Sequence, residues 1–378
     1  LAEQLEVGDA AIHSSVVPFS LISEEDRAQL PHDVVDAYPL AQLQAGMLFH
    51  SEFTPDSAVY HDVFSFHLDL PGFDPSQLQQ AIDQLLAHHE VLRTSFDLSS
   101  YREPLQLVWK EAAAPLGYDD LSHLDVEAQE TAIAQWIEQE KQSRFDFRRP
   151  PLLRFHLHRR GPDSIQFTLS FHHAILDGWS VASLLTELFQ LYFGRATAAA
   201  PSGRYADYIA REREALASEV SARYWDDRLS NSSSGQLAGQ QSRSGAIGPV
   251  EHQEIPIPTA VVEQLVRLAE TEKVPLKSVL LAAHLRVLTL LCGTSDVVTG
   301  MVTNGRPEQA DGERILGLFL NTLPLGLQLP GGSWRELVQS TFAAEREMLP
   351  HRWFPLAELQ KQRGEVFQAV FNYVHFHV

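Results

Sequence analysis

The clearest hydrophobic pattern in the chain is at Ser164–Leu191, where one period gives way to another. Ile165, Phe167, Leu169 and Phe171 alternate with Gln166, Thr168, Ser170 and His172, the period-2 pattern of a half-buried strand. By parity His173 falls on the apolar side. Val181, Leu184, Leu185 and Leu188 then recur at helical spacing, which predicts an amphipathic helix. Two imidazoles, His172 and His173, therefore sit at a strand-to-helix turn, with Asp177 and Gly178 just before the helix. Leu153, Phe155 and Leu157 alternate with Arg154, His156 and His158, and a short Gly161-Pro162-Asp163 connection joins this run to the first strand, predicting an antiparallel hairpin. The histidine pair would then lie at the far end of an inner strand.

Elsewhere the same patterns predict a helix from Pro39 with Leu40, Leu43, Met47 and Leu48 on its buried side, and a strand over 63–70. Asp74-Pro75 starts a capped helix that buries Leu78, Ala81, Ile82, Leu85 and Leu86. That helix ends at His88-His89, which reads as a solvated helix terminus rather than a ligand pair. A strand follows over 92–96. Charged helical sequence occupies 202–229. Further strands are predicted over 254–257, 296–302, 317–327 and 366–375, and helices over 259–272 and 276–291; the last is apolar on nearly every side and reads as buried.

At 378 residues the chain is long enough for two lobes. Residues 1–30 read as a linker from an upstream domain, 31–230 as an N-terminal lobe, the Ser/Gly/Gln-rich 231–248 as a flexible linker, and 249–378 as a C-terminal lobe. The 29 basic and 49 acidic residues give a net charge of −20, which argues against nucleic acid as a partner. No segment reads as a membrane span. The single cysteine, Cys292, excludes an intrachain disulfide and fits a cytoplasmic setting; it reads as a small buried apolar residue. With no P-loop, GxGxxG, HExxH or CxxC, nucleotide cofactors and the common zinc motifs lack support, so no metal site is assigned.

His172-His173-x-x-x-Asp177-Gly178 resembles the HHxxxDG core of nonribosomal peptide synthetase condensation domains. Six further segments resemble the family's other motifs in the same order: Tyr38–Ser51, His89–Thr94, Tyr205–Tyr208, Gly317–Pro324, His351–Pro355 and Phe371–Tyr373. The resemblance implies an α/β fold of two chloramphenicol-acetyltransferase-like lobes in a V-shaped pseudo-dimer with a tunnel between them, the second lobe incomplete in this chain. It further implies a peptide-bond-forming acyltransferase, in which an acceptor aminoacyl amine attacks a donor thioester. Both substrates would arrive on the phosphopantetheine of partner carrier domains beside an adenylation domain, no cofactor would be bound by the domain itself, and the module would be monomeric. The alternatives are a related carrier-dependent acyltransferase, an epimerase-type domain, or a non-catalytic recruitment domain of the same fold.

Parity, turn and resemblance together point to His173 as a positioning group or general base, while His172 falls on the opposite face and reads as structural. Asp177 reads as a helix cap or ion-pair partner. Gly178 supplies backbone room or an N–H for an oxyanion. By resemblance, Arg93 is the partner of Asp177, and Trp179, Ser180, Asn321 and Asn372 line the tunnel. Gln44–Ser51 resembles the first motif of domains that take a D-configured donor.

Overall fold

The computed structural model describes residues 16–54, 58–197, 199–230, 251–308, 311–329 and 331–374. They form two compact units. The first comprises 16–211 together with 306–319, and the second 212–305 together with 320–374. Residues 231–248, where the lobe linker is expected, lie outside the described residues, as does the first half of the expected N-terminal linker.

The first unit contains α1 (Glu24–Ala28), β1 (Val34–Pro39), α2 (Gln42–Phe53), β2 (His61–Asp69), α3 (Pro75–His88), β3 (Thr94–Asp97), β4 (Leu105–Trp109) and β5 (Gly117–Asp120). It continues through α4 (Val126–Gln142), β6 (Leu153–Arg159), β7 (Ser164–His172) and α5 (Gly178–Tyr192) into α6 (Tyr205–Ala217), within which the second unit begins. A three-stranded sheet runs β1-β4-β3 and a four-stranded sheet β2-β7-β6-β5. The predicted hairpin is present: β6 and β7 pair antiparallel from Leu153↔Phe171 to Arg159↔Ile165, and β7 is an inner strand.

The core of this unit is built by Leu78, Ile82 and Leu85 of α3, Phe155, Phe167, Leu169 and Phe171 of the sheet, and Leu184 and Leu188 of α5. Asp74 caps α3 through the Ser76 N–H at 2.8 Å, with Pro75 at the first helical position as its spacing predicts. Residues 16–30, expected as linker, are instead anchored. Asp36 accepts the Phe19 N–H, Asp207 accepts the Val16 N–H at 2.7 Å, and Phe19, Ile22 and Leu30 pack beside Ala37, Leu105 and Leu107.

The second unit holds the end of α6, α7 (Glu219–Ser230), α8 (Thr259–Glu272), α9 (Leu276–Cys292), β8 (Asp296–Asn304), β9 (Leu320–Gln328), α10 (Trp334–Met348), α11 (Leu356–Arg363) and β10 (Val370–Phe371). Its sheet runs β10-β8-β9, and Trp225, Leu281, Leu285, Met301, Leu323 and Met348 fill its core.

Four strand expectations are corrected. The strand expected over 92–96 starts only at Thr94, because Glu90–Arg93 close a 3-10 turn. Residues 254–257 are exposed and extended with no strand partner among the described residues, so their backbone has no ladder to join. The strand expected from Gly317 begins at Leu320, because the preceding backbone is hydrogen-bonded to Asp177 and Ser180 instead. Only Val370–Phe371 of the expected closing strand is paired, and residue 375 lies outside the described residues. No single helix among the described residues is long and apolar enough to cross a membrane, although α8 and α9 pass on composition together across a 108° bend.

Candidate active site

His172 and His173 are adjacent at the end of β7, yet their rings are held in opposite ways. The His172 ring is buried, and its Nδ1 accepts the Ala174 N–H at 3.2 Å. That leaves the proton on Nε2, which donates to Ser51 Oγ at 3.0 Å; the Ser51 hydroxyl in turn donates to the Met47 carbonyl at 2.9 Å. Both nitrogens of neutral His172 are therefore satisfied. Burial, helped by the neighbouring His61 and His173, pushes its pKa down to about 3.

His173 is only partly buried. Its Nδ1 lies 2.6 Å from the Leu176 carbonyl oxygen, and since a carbonyl only accepts, Nδ1 carries the proton. In the neutral ring the lone pair is thus on Nε2. Asp62 Oδ2 lies 3.9 Å from the same Nδ1. Burial raises the Asp62 pKa, and the charges of His173 and His61 oppose that rise. The His173 N–H donates to the Tyr60 carbonyl at 2.8 Å, tying the turn to the start of β2. Beside it, a cleft of about 90 Å³ is lined by His50, Ser51, Thr54, Val59 and Tyr60.

The turn after His173 is braced from two directions. Gln44 is fully buried in α2 and donates to the Ala174 carbonyl at 2.9 Å. Its carboxamide oxygen accepts the Ala41 N–H at 3.0 Å. Helical spacing placed Leu43 in the core, but Leu43 is exposed and the buried positions are Gln44, Met47 and Leu48.

The second brace is Asp177, which is 0% exposed. It caps α5 by accepting the Ser180 N–H at 2.8 Å, and it also accepts the Phe319 N–H at 3.1 Å. Its charge is met by Arg306, not Arg93. Arg306 Nη1 and Nη2 reach the two carboxylate oxygens at 2.8 Å each, and the guanidinium lies 4.4 Å from the centre of the Phe319 ring. Arg93 spends its donors elsewhere: Nε on the Leu86 carbonyl at 2.9 Å, Nη1 on those of Trp109 at 2.5 Å and Lys110 at 2.9 Å. It braces the end of α3 against β4.

Ser180, expected along the tunnel, is fully buried. Its hydroxyl donates to the Gly317 carbonyl at 2.8 Å and accepts from the Gly317 N–H and Arg306, so it is a latch rather than a wall. Trp179 is half-buried and donates its Nε1–H to the Glu313 carbonyl at 3.0 Å. Gly178 is exposed at the first position of α5, where a helical N–H has no acceptor within the helix.

Asn321 lies in the second unit, where its carboxamide donates to the Arg352 and Phe354 carbonyls at 3.0 and 2.8 Å and fixes that loop. Asn372 is exposed after β10 of the same unit. The pair read as a solvated terminus is only partly so, since His88 is half-buried. His89 is buried, and His88 and His89 clamp the two oxygens of Glu187 at 2.8 and 2.9 Å.

Sequence reading missed Arg306, Asp62 and the group beneath β7. There Ser170 donates to Glu140 at 2.6 Å and Arg154 to the same oxygen at 2.7 Å, while His61 sits 3.7 Å away. Burial would raise the Glu140 pKa, but the nearby His61 and the hydrogen bonds from Ser170 and Arg154 outweigh it and hold the carboxyl down at about 2. A second imidazole pair, His156 and His158, lies on β6. Burial lowers both, and for His158, with its neighbour's charge adding to burial, the value falls to about 4.

A family model described as the condensation domain matches residues 34–377. The chain belongs to the condensation-domain family of nonribosomal peptide synthetases. This condensation domain is 38% identical over 376 residues to the AMB antimetabolite synthetase AmbE of Pseudomonas aeruginosa, an alignment covering 96% of the chain but 17% of that protein. It is 31% identical over 343 residues to gramicidin S synthase 2 of Brevibacillus brevis, covering 86% of the chain and 8% of the synthase. The domain thus spans a small fraction of these curated relatives. Its fold matches the first condensation domain of the calcium-dependent antibiotic synthetase, solved with a substrate analogue, at a TM-score of 0.71, 24% identity and coverage of 90% and 81% of the two chains.

Proposed function

We propose that this condensation domain forms a peptide bond between two carrier-bound substrates, with the acceptor aminoacyl amine attacking the thioester of a donor peptidyl group. The C–N bond forms as the C–S bond breaks, and the amine proton passes by way of His173 Nε2 to the departing thiolate. The thioester is already activated, and an α-amine of ordinary pKa about 7.7–8.0 is partly neutral near pH 7, so alignment and the management of one proton suffice. The observation that carries this reading is the Nδ1–Leu176 hydrogen bond, which leaves Nε2 as the acceptor on the accessible histidine of the pair. The Gly178 N–H, at the start of α5, is the candidate donor to the oxyanion. Both carbonyl groups arrive on phosphopantetheine arms of partner carrier domains, next to an adenylation domain, and the domain works as a monomeric module without a resident cofactor.

Single-turnover transfer between loaded carriers, followed by mass spectrometry, tests the proposal. Wild-type chain gives the dipeptidyl acceptor and His173→Ala does not. Deuterium exchange at the donor α-carbon without amide formation would indicate an epimerase-type domain, and no reaction with docked carriers a recruitment domain.

The donor is proposed to be D-configured, on the resemblance carried by Gln44–Ser51. Two residues of this segment touch the histidine turn, Gln44 at Ala174 and Ser51 at His172. Offering both donor epimers on one carrier checks it; a clear preference for the L form rejects it.

A further inference from the structure

On the face of β5 and β6 turned away from the core of the first unit, register sets Gly117 opposite His156 and Asp119 opposite His158. Asp119 Oδ2 lies 3.0 Å from His156 Nε2 and 4.0 Å from His158 Nε2, and one donor atom from each of the three residues falls within 4.8 Å of the others. Donors placed about 2.0–2.2 Å from a tetrahedral zinc ion stand about 3.4 Å apart, so this triangle needs only small side-chain rotations to close on one.

His158 is the observation that asks for a ligand. Its residue is 2% exposed, yet neither ring nitrogen makes a hydrogen bond, and Nδ1 is fully shut off from solvent. Buried imidazoles are normally hydrogen-bonded or metal-bound. The Trp136 ring of α4 covers the pair, its centre 4.2 Å from that of His156 and 5.2 Å from that of His158. Gly117 completes the cradle, since a Cβ there would stand 2.2 Å from His156 Nδ1.

We infer that Asp119, His156 and His158 form a site for a divalent ion of the zinc type, with water completing the coordination, which pins the short edge strand β5 to β6 under α4. Two imidazoles and one carboxylate are the donor set that zinc and its neighbours prefer over magnesium or calcium. The site stands apart from His173 and makes no claim on the transfer reaction.

The test uses the full chain after chelator treatment and dialysis, titrated with zinc sulfate in a calorimeter and followed by thermal unfolding. Wild-type chain binds one zinc, and a hundredfold excess over Kd raises Tm by about 5–10 °C. Asp119→Asn and His158→Leu each weaken binding by about tenfold or more and cut the Tm shift at that zinc concentration to about half or less. His158→Leu removes an unsatisfied buried group and so keeps the zinc-free Tm; should it fail to fold, the half-exposed Asp119 decides alone. Cobalt(II) quenches the fluorescence that Trp136→Phe removes. The inference is overturned if wild-type chain binds no zinc, or if both variants bind it with wild-type affinity and stoichiometry through other members of the 17 histidines.

Discussion

Asp177 and Arg306 stand 129 residues apart in the chain and close a buried two-pronged ion pair, with both nitrogen–oxygen distances at 2.8 Å. The arginine side chain is 6% exposed and the aspartate 0%. Removing either partner strands the other's charge, so Asp177→Ala and Arg306→Ala should each cost about 3–5 kcal/mol. The double variant should cost less than the sum. Arg93→Ala, which frees three carbonyls that share no partner with this pair, should add to Asp177→Ala within about 0.5 kcal/mol. Denaturant unfolding of the three single variants and the two combinations measures this; strong coupling between Asp177 and Arg93 would contradict the assignment.

The two histidines should separate in their effects. His172→Ala removes a buried ring that bonds Ser51 and Ala174, and should lower stability by about 1–3 kcal/mol. His173→Ala should leave Tm nearly unchanged while transfer between loaded carriers is lost. Parallel thermal unfolding and single-turnover assays expose the split, and a stable, active His173→Ala would end the case for Nε2.

What the sequence made legible follows from local rules. The β6–β7 hairpin, the Asp74 cap and the bounds of α8 and α9 all rest on period, capping and apolar spacing, which act within a few residues. Leu43 shows where such rules stop: spacing counted it as core, but Gln44 was drawn inward by an acceptor at Ala174, 130 residues away. Arg306 was illegible for the same reason. It lies in a polar loop, and only the folded chain brings that loop to Asp177. The assignment of Arg93 rested on resemblance alone, and the local demand of the Leu86, Trp109 and Lys110 carbonyls took its donors.

Acid should unfold the first unit in two stages. His172 has an ordinary pKa near 6.5 and a folded value of about 3, so the unfolded chain takes up the proton first; its contribution is complete above pH 6.5 and is lost as pH falls toward 3. For Glu187, burial would raise the pKa, but hydrogen bonds from His89 and His88 outweigh it and hold the value at about 2 against an ordinary 4.5. Its contribution is complete above pH 4.5 and is lost toward pH 2. Denaturation midpoints measured against pH should fall less steeply than in wild type below 4.5 in Glu187→Gln and between 6.5 and 3 in His172→Phe. Unchanged slopes in both would refute the scheme.

Two glycines should respond oppositely to a methyl group. A Cβ on Gly317 would stand 2.4 Å from Tyr205 Cδ2 and 2.8 Å from the Phe319 ring, so Gly317→Ala should destabilise by about 1–3 kcal/mol. Gly46, in the middle of α2, has nothing within 4 Å of its added Cβ, and Gly46→Ala should stabilise by about 0.5–1 kcal/mol. Differential scanning calorimetry of both variants gives the two signs directly.

The long reach from Asp177 to Arg306 also sets an order of events during synthesis. At about 5–20 residues per second, the ribosome releases Asp177 on the order of ten seconds before its counter-ion exists. Through that interval β7 and α5 can form, since their partners β2, β6 and α3 all precede Asp177 in the chain, but the carboxylate between them has no guanidinium. The turn bearing His173 is therefore a late-maturing part of an early-folding unit. Nascent chains stalled just before and some forty residues after Arg306 should differ in protease cleavage at 173–180, which puts the final setting of the site under the timing of translation.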